Sequence, residues 1–247
     1  MKHKPASAPG RDQEALRNCS PEDAGLDPAL YAAAITYLFD RRVPEEQRQE
    51  WYWDLGEPEF PATPIEWTRI QTVLFANAGR DLQGFDNEQV GMGLNYLMSN
   101  DISDVPFAAI DPAVPLGDAM RMMGAMPALW QRCIGPRLAS LLAPIGSSAG
   151  GSLGHVCHMW FDVWPTFWHV RHVPAWKDAL WAVLRQMLEV PCRAVQVAAL
   201  HGIGHHGDQL DRRQDIDRAL GTFMRSVEER DEELRNYAAA ARTGRVL

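Results

Sequence analysis

PAWKDALWAVLRQMLEVPCRAVQVAALHGIGHH, residues 174–206, is the stretch on which the fold turns. Pro174 suits the first position of a helix, where its missing N–H would have no intrahelical partner. Behind it Trp176, Leu180, Val183, Leu184, Met187 and Leu188 recur at i, i+4, i+7 and i+8, which lines one face of a helix. Val190-Pro191 interrupts the pattern, and a second run of small and apolar residues follows. The spacing predicts a helix over 174–189, a turn, and a helix over 191–206.

The same signals repeat outward from this stretch. Asp27-Pro28 predicts a capped helix over 28–39. Thr63-Pro64-Ile65-Glu66 fits a capping box and opens a helix to about Ala78, with Gly79 as its stop. Asp86 with Gln89 predicts a helix over 87–98. Helical pieces are expected near 103–110 and 116–143, broken at Pro112, Pro115, Pro127, Pro136 and Pro144. Ser152 is the expected cap of a helix ending at Pro165, and 211–242 reads as one bent helix or two. No run with a period of two is long enough for a sheet core. The expected fold is all-α, a compact array of antiparallel helix pairs over 21–247. Residues 1–20 read as a flexible tail, and Gly/Ser-rich 146–152 as a flexible loop.

The unit 174–206 resembles a HEAT-type repeat. Its second helix, Cys192 to Gly204, has the small residues and the Leu-x-Gly-x-Gly-like end of an inner repeat helix. The resemblance implies a short right-handed solenoid of stacked helix pairs. Gln196 departs from it, standing after Val195 where an Arg is customary.

The chain of 247 residues is 46% hydrophobic, enough for one sizeable core. Its net charge of −8 is unevenly placed. Residues 43–120 hold three bases and fourteen acids, a net of −11, whereas 121–206 hold seven bases and three acids, a net of +4. Seven of the eight histidines lie between 155 and 206. The acidic half disfavours nucleic acid. No apolar run approaches the ~20 residues needed to cross a bilayer. With no apolar signal region after Met1 and four widely spaced cysteines, the expected location is cytoplasmic and the thiols free. Three lysines against 21 arginines point to a GC-rich bacterial source.

The chemistry-bearing residues concentrate in the second half. His155, His158 and Asp162 at i, i+3 and i+7 lie within roughly 60° on one helix face. His201 and His205, at i and i+4, share a face of the next long helix, with His206 beside them. Two imidazoles and a carboxylate are the ligand types of a divalent transition-metal site such as Zn or Fe. The simpler reading is a semi-polar core of histidines with Trp160, Trp164, Trp168, Trp176 and Trp181, their N–H groups on helix-end carbonyls. Gly146 to Gly150 matches G-x-S-x-G around Ser148, with Asp178 and His201 or His205 downstream. Without a preceding strand it reads as a linker. The loop could also present backbone N–H groups to an anion.

In the acidic half, Trp51, Tyr52 and Trp53 cannot all face one core from a helix. Trp51, Trp53, Asp54, Glu57 and Glu59 form the candidate partner surface, and Asp101 with Asp104 a further carboxylate pair. Two functions follow. The favoured one is no enzyme and needs no cofactor: an interaction module (adaptor, scaffold or immunity-type binder) that steers a basic protein partner. The alternative is a helical metal-dependent hydrolase or oxygenase using His155, His158, Asp162, His201 and His205.

Overall fold

A computed structural model describes residues 18–42, 50–53, 56, 58–147, 149–227 and 231–246. The helices are α1 (Pro28–Phe39), α2 (Pro64–Asp81), α3 (Asn87–Met98), α4 (Leu116–Leu129), α5 (Gly135–Leu138), α6 (Gly151–Val163), α7 (Thr166–Val170), α8 (Pro174–Leu188), α9 (Arg193–His206), α10 (Arg213–Ser226) and α11 (Glu232–Ala241). Short 3-10 turns lie at Trp51–Trp53, Val105–Ile110 and Gly207–Leu210. No strand occurs among the described residues, and the fold is all-α. The expected tail falls mostly on 1–17, outside the described residues.

The caps form as the residue types require. Thr63 Oγ1 accepts the Glu66 N–H, and the Glu66 carboxylate accepts the Thr63 N–H at 2.7 Å. Asp86 and Gln89 repeat the reciprocal pair at 2.8 and 3.1 Å. Each box satisfies two N–H groups that a helix start would leave bare.

Three expected boundaries are corrected. α2 runs past Gly79, which is no stop: it keeps a right-handed conformation where the Arg132 backbone passes too close for a side chain. Pro127 and Pro136 do not break the 116–138 segment. α4 continues through a π-turn, Trp130–Ile134, into α5. In that turn the Gly135 N–H reaches back to the Trp130 carbonyl, one residue further than in an α-helix. α6 is capped by left-handed Gly150 rather than by Ser152.

Tertiary packing pairs helices far apart in sequence. α2 packs on α4, α3 on α6, α6 on α9, and α9 on α8 and α11. α6 therefore sits centrally, between the N-terminal helices and the α8–α9 hairpin. Its Trp160 meets Trp130 and Phe75 edge-on at 5.5 and 6.1 Å, and Phe161 stacks on Trp130 at 6.0 Å. These four rings are fully buried. The Trp160 and Trp130 N–H groups have no acceptor among the described residues, so the expected bonds to helix-end carbonyls are not made there. Trp168 is exposed rather than in the core.

Gln196 and Arg193 fix the position of α9. The Gln196 amide donates to the carbonyls of Val190 and Leu188 at 3.0 and 3.4 Å, closing the turn between α8 and α9. Arg193, largely buried, reaches the carboxylates of Asp231 and Glu233 at 2.8 and 2.5 Å and the Ala143 carbonyl at 2.8 Å. It thereby ties the start of α11 to the start of α9.

Candidate metal centre

α6 and α9 face each other through one turn of each. His158 and Asp162 are four residues apart on α6, and His201 and His205 four apart on α9, so each pair stacks on one side of its helix. Gly202 lets the helices approach, since a Cβ there would come within 2.8 Å of the Phe161 ring and 2.7 Å of Leu184. The missing side chain next to His201 thus lets α9 lie close against α6 and α8.

Among the described residues, Asp162, His201 and His205 each place a ligand atom within 4.8 Å of the others. The His201 and His205 Nε2 atoms are 3.1 Å apart. Asp162 Oδ1 lies 3.4 Å from His205 Nε2, and Oδ2 lies 3.7 Å from His201 Nε2. The His158 ring is 4.7 Å from the His201 ring, centre to centre. His201 Nδ1 is 2.6 Å from the Tyr237 hydroxyl, which α11 brings over the site.

The electrostatics keep His201 neutral. Burial, then the neighbouring His158 and His205, push the His201 pKa down to about 4, against the opposing pull of Asp162. Burial also lowers His158. At neutral pH His201 is uncharged, so its approach to Asp162 is not an ion pair, and a ring nitrogen keeps a lone pair. A neutral imidazole is the metal-ligating form. Tyr237, raised to about 12 by burial and by Asp162, stays protonated.

Of the five residues nominated from the sequence, Asp162, His201 and His205 come together as one group of possible ligands, and His155 and His158 are not part of it. His155 is exposed, one turn before His158, and lies outside the cluster. His206, on the far side of α9, is fully buried: Nε2–H donates to the Phe161 carbonyl at 2.8 Å and Nδ1 has no partner among the described residues. His169 packs against Phe107, away from the site. Tyr237 reads in the sequence only as an inward helix position; nothing in its spacing marks it as a histidine partner. Replacing Tyr237 with Phe should leave the helix intact and weaken metal binding by about tenfold, because the orienting bond to His201 is lost. Isothermal titration with Zn²⁺ checks this, and equal affinity would rule out the role.

The other expected sites resolve differently. Ser148 lies outside the described residues, no strand precedes it among them, and Asp178 pairs with Arg212. The start of α6 already has its anion: the Glu88 carboxylate accepts the Ser152 N–H at 3.2 Å and its hydroxyl at 2.5 Å. Of the partner-surface residues, Asp54 and Glu57 lie outside the described residues, Glu59 and Trp53 are exposed, and Trp51 turns inward against Tyr37 and Tyr96. No described helix is long and apolar enough to cross a membrane. Compared with models of protein families, with curated proteins and with solved structures, the chain matches none.

Proposed function

We propose that this protein is a helical metal-dependent hydrolase whose divalent metal, of the zinc type, is held by Asp162, His201 and His205. The spacing of the three donor atoms carries this reading. A tetrahedral ion with bonds near 2.05 Å has ligand–ligand edges of about 3.3 Å; the two imidazole Nε2 atoms are 3.1 Å apart, each lies 3.4 or 3.7 Å from a different oxygen of Asp162, and one donor atom from each of the three residues falls within 4.8 Å of the others. Three protein ligands leave the fourth position for water, as catalytic zinc sites do. Bound there, the metal would supply a water acidified to a pKa of about 7. His158, its ring centre 4.7 Å from that of His201, would be a base available beside such a site. His201 Nδ1–H would donate to Tyr237, leaving Nε2 bare for the ion.

Metal analysis of the purified protein tests the reading. One zinc per chain is expected. His205→Ala and Asp162→Asn should each lower affinity by at least about 100-fold, because each removes one of three ligands. Absence of stoichiometric metal, or binding unchanged in both variants, would overturn it.

A further inference from the structure

A second site lies in the acidic half, apart from the histidines, and does not depend on the metal reading. A cleft of about 600 Å³ opens between the end of α1, the Trp51–Trp53 turn, the starts of α2 and the Val105–Ile110 turn, and α3. This is the volume of a small-molecule pocket. One wall is a continuous set of aromatic rings. Trp51 stacks on Tyr96 at 5.1 Å, Tyr37 meets Trp51 and Phe60 at 5.1 and 5.3 Å, and Phe60 meets Trp67 at 5.4 Å. The Trp51 indole N–H, part of that wall, is buried without an acceptor among the described residues.

The charged residues lining the cleft are acidic, and the Arg41 guanidinium lies against two rings of its wall. Glu59, Asp104 and Asp111 line the cleft, and no lysine, arginine or histidine does among the described residues. None of the three forms an ion pair with another described residue. The aromatic set already shows its preference inside the protein: the Arg41 guanidinium lies 4.4 Å from the Trp51 ring centre and 4.9 Å from that of Tyr37. Ring faces are electronegative and attract cations, and the carboxylates add to the same field.

The walls also select among cations. A strongly hydrated ion would lose its water against aromatic carbon without replacement. An alkylated ammonium spreads its charge over methyl groups, sheds water cheaply and offers apolar surface to the rings. We propose that this cleft binds a small alkylated ammonium compound, its cation against the aromatic wall and within the field of Glu59, Asp104 and Asp111.

Titration with choline, followed by calorimetry and tryptophan fluorescence, tests the proposal. Its neutral isostere 3,3-dimethylbutanol separates charge from shape, and sodium chloride at equal strength controls for screening. Saturable choline binding is expected, with the isostere weaker by about tenfold or more. Glu59→Gln with Asp104→Asn should weaken choline several-fold while leaving the fold unchanged by circular dichroism. Trp51→Leu should weaken it by about tenfold. His205→Ala should bind choline like the parent, which separates this site from the metal centre. Absence of saturable binding, equal affinity for the isostere, or unchanged binding in both cleft variants would overturn the proposal. So would binding of a trimethyllysine peptide without binding of free choline, which would make the cleft a peptide-docking surface.

Discussion

Acidification of the metal-free protein should destabilise it markedly between pH 6.5 and about 4. Burial holds His206 down to about 4, and His201 likewise, against an ordinary value of 6.5. Below pH 6.5 the unfolded chain takes up protons at these positions and the folded chain does not. The stability is therefore complete above 6.5 and is lost as pH falls toward 4. His206 accounts for about 3 kcal/mol across that window. That loss is a large share of the stability of an ordinary domain, about 5–15 kcal/mol, and His201 adds to it in the same direction. His206 is the cleaner case, being fully buried with its single bond to Phe161. His206→Gln keeps a donor for that carbonyl and cannot titrate, so its melting temperature should fall less with acid than the parent's. Asp231, held below the usual carboxylate range by Arg193, gives way only at still lower pH. Thermal melts across the window check the prediction, and a flat melting temperature down to pH 4 would contradict it.

The second large effect is expected at Gly91, where α3 crosses α6. A Cβ at this position would lie 2.3 Å from the Leu153 backbone nitrogen and 2.4 Å from the Ser152 carbonyl carbon. A side chain can rotate away from such a clash; a helix backbone cannot. Gly91→Ala should therefore cost about 3 kcal/mol, the upper end of overpacking effects, and lower the melting temperature by about 6–12 °C. Gly124→Ala is the control. It lies inside α4, where a Cβ would meet nothing within 4 Å, so it should gain about 0.5–1 kcal/mol from helix propensity alone. The Gly91 change also reaches the metal centre. Moving α6 carries His158 and Asp162 away from His201 and His205, so zinc affinity should fall by at least about tenfold although no ligand is altered. A Gly91→Ala variant as stable as the parent, with zinc binding intact, would show that α3 and α6 do not constrain each other.

Local chemistry is what the sequence encodes directly. Thr63 with Glu66, Asp86 with Gln89, and Pro28, Pro64 and Pro174 at helix starts each act within four residues, so the helices they open are legible without coordinates. The ligand types are legible for the same reason: His158 with Asp162, and His201 with His205, are each one helical turn apart. Even the limits are local in origin. Prolines 127 and 136 read as breaks from their own chemistry, yet the chain stays helical through both.

What the sequence leaves open is which faces meet. α6 is amphipathic whether it packs on α9 or on any other helix, and no periodicity states that Gly91 and Gly202 are the points of closest approach. Those contacts span about 40 to 60 residues of chain, and only the packed core selects them. The same selection excludes exposed His155, turns His206 into a core residue, brings Tyr237 onto His201, and gathers Tyr37, Trp51, Phe60, Trp67 and Tyr96 into one wall. Composition and local pattern determined a helical body with its acids in one half and its histidines in the other. Close packing between distant helices decided which of those residues share a site.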